Sequence, residues 1–231
     1  MRNRPDTLML FAAGFGTRMA PLTAGRPKPL IEVAGKPLID HALDIATEAG
    51  IGRTVVNTHY LADQIAAHLA GRPAVQLSHE DPILDTGGGL RRALPALGGG
   101  PVFTLNSDAV WSGCNPLSEL AAHWDPAHMD ALLLLVPRAR ALGHDGPGDF
   151  AMDERGQLTR GGTMVYTGAQ IIATDGLDTI PDEVFSLNLL WDSMLLDERI
   201  HGVVHDGGWC DVGRPGNIVL AESMLSGPGD V

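Results

Sequence analysis

Four side chains carry most of the chemistry this sequence can do: two cations near the N-terminus, Arg18 and Lys28, and two carboxylates much further on, Asp108 and Asp211. Arg18 closes the segment Ala12-Ala-Gly-Phe-Gly-Thr-Arg18, which comes directly after the apolar run Thr7–Ala12. A glycine-rich turn at the end of a strand lets backbone N–H groups approach phosphate oxygens with no Cβ in the way. An arginine beside it adds a planar fork suited to phosphate. Read alone, the segment is equally a tight turn with a solvated arginine. Lys28 stands in Arg26-Pro-Lys-Pro-Leu30. The flanking prolines predict an extended backbone, which limits the entropy lost when the ammonium is aimed at an anion. The plainer alternative is a surface lysine between turn prolines.

Asp108 comes just after the apolar run Val102–Asn106, and Asp211 lies in Trp209-Cys-Asp-Val-Gly213. A carboxylate at a strand's carboxyl end can take a hard divalent cation whose shell is completed by phosphate oxygens. Each is also what a turn or helix-capping aspartate looks like. Asp85-Thr-Gly-Gly-Gly89 reads either as a flexible link or as a place where backbone amides and carbonyls reach a flat base. Two familiar phosphate motifs fail. A dinucleotide G-x-G-x-x-G needs glycine where Met19 stands, and a Walker A loop needs Gly-Lys-Ser/Thr where the chain has Met19-Ala-Pro21.

The elements that would position these groups alternate along the chain. The continuous apolar run Thr7–Ala12 predicts a strand covered on both faces. A Gly- and Pro-rich loop runs to about Gly35, and Leu38, Ile39, Ala42, Leu43, Ala46 and Ala49 then recur at helical spacing up to Gly50. Strands are expected at Arg53–Thr58, Val75–Ser78, Val102–Asn106 and Ala131–Val136, with helices at Tyr60–Ala70 and Gly89–Leu97 between them. Gly143–Gly148 reads as a loop, Gly161–Thr174 as hairpin strands, and Pro215–Leu225 as a last helix. Repeated strand–helix units imply an α/β fold with a Rossmann-like, mostly parallel central sheet and helices on both faces. Ligands of such sheets bind beyond the carboxyl ends of the strands, which is where Arg18 and Asp108 fall.

The bulk numbers set bounds. A chain of 231 residues with 44% hydrophobic residues is long enough for one sizeable core. No apolar run approaches the roughly 18 residues a membrane span needs. The short apolar stretch near the N-terminus runs straight into Gly14 and Gly16, so it reads as a buried strand and not a signal peptide. Two cysteines, Cys114 and Cys210, form no disulfide framework or zinc pattern, which points to a reducing, cytoplasmic compartment. A net charge of −12 argues against nucleic acid or an anionic membrane as partner. It also means that any anionic ligand must be held by local cations, backbone N–H groups and a divalent metal.

Taken in order, the AAGxGTR loop, the PKP segment, the glycine patch in the eighties, the strand-end Asp108 and the late WxDVG resemble the sugar-1-phosphate nucleotidyltransferase family from about Thr7 to Leu225. The absence of a C-terminal β-helix domain, Asp85–Gly89, Gly146-Pro-Gly-Asp-Phe150 and Trp209–Gly213 resemble in particular the short N-acetylmuramate-1-phosphate uridylyltransferases of cell-wall recycling. Ser107, where the family usually has glycine, and the segment Phe185–Asn188 depart from the pattern. The resemblance implies one nucleotidyltransferase (GT-A-like) domain over residues 1–231, with 226–231 a flexible tail. It implies a Mg2+-dependent in-line displacement joining a nucleoside triphosphate to a sugar 1-phosphate with release of pyrophosphate. It implies Arg18, Lys28 and Asp108 as catalytic groups, and Asp108 and Asp211 as metal ligands. Ala12, Gly14, Gly16, Thr17, Arg18, Asp85, Thr86 and Gly87 would bind the nucleotide, and Asp149, Gly168 and Asn188 the sugar. Guanylyl transfer to mannose or heptose 1-phosphate, and a non-catalytic nucleotide-sensing module of the same fold, are the alternatives.

Overall fold

The computed structural model describes residues 4–227. In chain order it begins with β1 (Thr7–Phe11), then the small ribbon β2 (Glu32–Val33) and β3 (Lys36–Pro37), α1 (Leu38–Glu48), β4 (Arg53–Thr58) and α2 (Ala62–Leu69). Next come β5 (Val75–His79), α3 (Asp85–Leu97), β6 (Val102–Asn106), β7 (Ala109–Ser112), α4 (Pro116–His123), β8 (Ala131–Pro137) and β9 (Ala141–Leu142). The chain continues with β10 (Phe150–Met152), β11 (Leu158–Arg160), β12 (Met164–Ile172), α5 (Asn188–Leu196), β13 (Ile200–Val204), β14 (Gly208–Asp211) and α6 (Gly216–Leu225).

The central sheet runs β5-β4-β1-β6-β12-β8-β13, with the β10–β11 hairpin joined to one end of β12. Strands β5, β4, β1 and β6 pair in parallel, β12 lies antiparallel to both β6 and β8, and β13 is parallel to β8. β12 is therefore the one reversed strand of that row, and the sheet is mostly parallel as expected. Strand β1 shows why it holds the centre. Leu8 and Leu10 point to one face and Met9 to the other, all three fully buried, as period-two geometry requires. On one face α1, α2 and α4 pack over Leu8, Leu10 and Val56, and on the other α3 and α5 pack over Met9 and Val55. Helix α6 covers a separate small core made with Met19, Val110, Cys210 and Val212. No helix among the described residues is long and apolar enough to cross a membrane.

Several expectations need correction. The helix expected from Gly89 begins at Asp85, so Gly87, Gly88 and Gly89 sit inside its first turns. Only Gly161 and Gly162 form a turn, and Met164–Ile172 is one long strand, β12, rather than a hairpin. Helices α4 and α5 and strands β7, β13 and β14 were not anticipated. The last helix was, to within a residue at its start. Of the tail expected over 226–231, Ser226 closes α6 by donating its N–H to the Glu222 carbonyl at 2.9 Å, and residues 228–231 lie outside the described residues.

Candidate active site

The loop after β1 and the lysine between two prolines are built against each other. Gly16 adopts a left-handed conformation (φ 62°), and a Cβ on it would lie 2.9 Å from Lys28 Cβ and 3.0 Å from Thr23 Cγ2. Only glycine meets both demands. The Thr23 hydroxyl donates to the Gly16 carbonyl at 3.0 Å and fixes the turn. Pro27 is extended, as the sequence predicts, but Lys28 itself opens a one-turn 3-10 helix, Lys28–Leu30, and is not in an extended stretch. Pro29 suits that turn because its missing N–H is not needed there. Lys28 is buried, and its ammonium donates to Asp108 Oδ2 at 2.7 Å.

Strand pairing brings the two carboxylates together. β14 runs antiparallel to β7 with Asp211 opposite Ala109, and the Val212 N–H donates to the Asp108 carbonyl at 2.8 Å. Burial pushes the Asp211 carboxyl above the ordinary carboxylate range, and the Asp108 charge pushes it the same way, while Lys28, Arg18 and His144 oppose. A carboxylate raised by its acidic neighbour, with cations facing both, is the electrostatic setting a divalent ion would relieve. Gly213 keeps Asp211 in place, since a Cβ there would lie 2.8 Å from Asp211 Oδ2. Arg18 makes no hydrogen bond or ion pair among the described residues, and it lines the same cavity as Lys28 and Asp108. Ser107 does not loosen this corner. It is buried, and its hydroxyl donates to the Phe11 carbonyl at 2.6 Å, tying the end of β6 to the end of β1. Cys210, next to Asp211, is buried, and desolvation with the Asp211 charge holds its thiol up at about 11, so it stays protonated and is no nucleophile.

Lys28, Ser107 and Asp108 line a cavity of about 320 Å³ whose wall includes Ala12, Gly14, Gly16, Thr17, Arg18, Asp85 and Thr86, while Asp211 stands behind that wall and its neighbour Gly213 reaches it. Gly14, on the same wall, has open space where its Cβ would be. The far wall is organised by residues that sequence reasoning missed. Buried Asn57 accepts the Ala12 N–H at 2.7 Å and donates to Glu80 Oε1 at 2.8 Å, and Glu80 Oε2 accepts the Leu84 N–H at 2.9 Å. That chain links the loop after β1 to the residue before α3. Gly89 makes room for it, as a Cβ would lie 2.6 Å from Glu80 Oε1.

Gly87 is not on the wall. Its N–H and that of Gly88 both donate to the Phe185 carbonyl, at 2.9 and 3.1 Å, so a tertiary carbonyl takes up the free donors of the helix start. The Thr86 hydroxyl accepts the Leu187 N–H at 3.0 Å. Asp85 is held at φ 60°, which is uncommon for a residue with a Cβ, and its carboxylate accepts the Thr86 N–H at 2.6 Å. The Asp85–Gly89 patch is thus a clamped helix start and not a linker. A Cβ on Gly87 would lie 2.3 Å from the Phe185 ring. Gly87→Ala is expected to lower stability by about 1–3 kcal/mol, read as a fall of several degrees in Tm. A melting curve that matches wild type would contradict this packing.

A second cavity, about 390 Å³, adjoins the first and shares Phe11, Asp85, Thr86 and Asn106 with it. Its walls carry Asp149, Asn188, Arg160 and the rings of Phe150, Tyr166 and Trp191. Asp149 Oδ2 accepts the Tyr166 N–H at 2.8 Å where β12 is irregular. Asn188 opens α5, with its side-chain amide donating to the Ser186 hydroxyl at 2.9 Å. Gly168 does not line either cavity. At φ 89° it backs Asn106, whose side chain a Cβ would meet at 2.8 Å, so it positions the residue at the junction. Asn106 had one signal in the sequence, a polar residue closing an apolar strand, whereas Asn57 and Glu80 lie in and just after strands of mixed polarity and had none.

With the geometry in hand, three comparisons place the chain. Residues 8–149 match the family described as the MobA-like NTP transferase domain. The chain is 40% identical to an N-acetylmuramate alpha-1-phosphate uridylyltransferase of Caulobacter vibrioides, over 98% of this chain and 99% of that protein. It is 34% identical to the protein of the same description in Neisseria meningitidis serogroup B, over 94% and 96%. Among solved structures, the inositol-1-phosphate CTP transferase from T. maritima superposes with a TM-score of 0.78 at 13% identity, covering all of both chains, which speaks for the fold alone.

Proposed function

Since this chain belongs to the family of MobA-like NTP transferases, we propose that it moves a uridylyl group from UTP to N-acetylmuramate 1-phosphate, releasing pyrophosphate. The reading is carried by one observation. The ion pair of buried Lys28 with partly exposed Asp108 stands in a cavity walled by the loop after β1 and adjoining a second, aromatic-walled one, and Asp211 lies close enough to feel the Asp108 charge. The nucleotide would occupy the first cavity and the sugar the second, and the relatives' names supply the base and the sugar.

In the proposed reaction an oxygen of the sugar phosphate attacks the α-phosphorus of UTP. The bond from that phosphorus to the β-bridging oxygen breaks, and pyrophosphate leaves with the electron pair. No protein nucleophile is needed, so positioning and charge stabilisation supply the rate. Asp108 and Asp211 fit a divalent cation, and Mg2+ is our assignment. Asp108 and Asp211 would supply hard carboxylate oxygens to it, the donor type Mg2+ takes alongside substrate phosphates. When bound, the cation neutralises charge developing on the phosphate oxygens. Lys28 would reduce repulsion between the two reacting anions, and Arg18 would hold the leaving phosphates. Ala12, Gly14, Gly16 and Thr17 would face the triphosphate, and Asp85 and Thr86 the nucleoside. Asp149 and Asn188 would face the sugar, with Gly168 acting through Asn106.

The free thiols, Cys114 exposed and Cys210 buried, suit a reducing cytoplasm, and a muramate substrate would place the enzyme in peptidoglycan recycling. The test is pyrophosphate release with UTP, GTP, CTP and dTTP against N-acetylmuramate, mannose and heptose 1-phosphates. UTP with the muramate phosphate is expected to give the highest kcat/KM. A higher value for GTP with a neutral sugar would replace both substrates.

A further inference from the structure

Arg160, at the end of β11, is the one arginine among the described residues on the wall of the second cavity, and it does not line the first. Its guanidinium lies 5.2 Å from the centroid of the Phe150 ring and 5.6 Å from that of Trp191. One edge is anchored. Nε and Nη2 both donate to Asp192 Oδ1, at 3.1 and 2.6 Å, and Nη2 also reaches the Asn188 carbonyl at 3.4 Å. Nη1 has no hydrogen-bond partner among the described residues. The side chain is therefore held against aromatic surface with the two N–H donors of Nη1 unspent. A guanidinium is more weakly hydrated than an ammonium, and this one, though its side chain is 39% exposed, is oriented before any ligand arrives, which favours a planar anion.

Its position says which anion. The reacting phosphate belongs beside Lys28 and Asp108 in the first cavity, and Arg160 is absent from that wall. An anion at Arg160 must then be a substituent carried elsewhere on the sugar. The aromatic floor of Phe150, Tyr166 and Trp191 offers apolar surface for whatever joins that anion to the ring.

We infer that Arg160 is the residue by which this chain selects a carboxylate-bearing sugar phosphate, holding the carboxylate through Nη1 while Asp192 fixes the guanidinium. The inference rests on the assignment of the second cavity to the sugar. It adds the residue that discriminates an acidic sugar from its neutral counterpart.

The test compares N-acetylmuramate 1-phosphate with N-acetylglucosamine 1-phosphate, which lacks the lactyl carboxylate, in wild type and Arg160→Gln. For the two sugars kcat/KM is measured with UTP, and Kd is measured by calorimetry without turnover. The variant is expected to lower the acidic-to-neutral preference by roughly 30- to 100-fold in both quantities, the size of a charge-assisted hydrogen bond. An equal loss on both sugars, or an unchanged preference, would overturn the role of Arg160. A wild type that binds the acidic sugar preferentially but never releases pyrophosphate would instead sink the proposed reaction and leave the selectivity standing.

Discussion

Asp108→Asn is expected to lower kcat/KM by about 1000-fold, roughly 4 kcal/mol of transition-state stabilisation, with a melting temperature close to wild type. The change keeps the shape of the side chain and removes the charge that a divalent cation would share with Asp211. The fold survives because the strand junction is held by the Asp108 backbone carbonyl, which accepts the Val212 N–H, and not by the carboxylate. The carboxylate is about a third exposed, so the ion pair with Lys28 contributes little stability once solvent screening is counted. Steady-state rates at saturating Mg2+, with a melting curve on the same preparation, check both halves. Activity within tenfold of wild type in a folded variant would remove Asp108 from the reaction.

Lys28→Ala is expected to lower kcat/KM by at least about 100-fold, about 2.7 kcal/mol, with most of the loss in kcat. Two opposite charges about 4 Å apart interact by roughly 4 kcal/mol at an effective dielectric near 20, so one well-placed ammonium can supply this. Lys28 is well placed, with its side chain 10% exposed, its stem against Gly16 and its ammonium on Asp108. Removing it also leaves two carboxylates facing each other without their nearest cation. The split of kinetic constants decides the role. A loss confined to KM, with kcat unchanged, would mean that Lys28 binds ground state and transition state alike.

The same local arithmetic answers the net charge of −12. Salt screens a diffuse charge beyond about 8 Å at physiological ionic strength. Anions inside the cavities would meet Arg18, Lys28 and Arg160 at short range, and a divalent cation would offset Asp108 on the same wall.

The readable parts of the sequence were those governed by local pattern. The run Thr7–Ala12 announced a central strand because a strand buried on both faces must be apolar throughout. The turn after it announced itself through Gly14 and Gly16. What stayed hidden depends on partners distant in the chain. Glycines are poor helix formers, so Gly87 and Gly88 read as a loop. They are helical because the Phe185 carbonyl caps their N–H groups, and Phe185, Glu183 and Glu80 leave no room for a Cβ on the three glycines. The pairing of β7 with β14, which sets Asp108 beside Asp211, is a long-range register that no local period encodes. Asn57 and Asn106 read as ordinary members of the strands Arg53–Thr58 and Val102–Asn106. Arg160 read as nothing in particular, because its meaning comes from Phe150 and Trp191 beneath it.

On the proposed function, the two adjoining cavities bring a nucleoside triphosphate and a sugar phosphate together for direct transfer. Phosphorus NMR of the purified chain with UTP, N-acetylmuramate 1-phosphate and Mg2+ tests it most directly. Pyrophosphate and the paired resonances of a nucleotide-sugar diphosphate are expected to grow in equal amounts, and only when both substrates and the cation are present. Pyrophosphate or inorganic phosphate released from UTP alone, with no diphosphate diester formed, would contradict it.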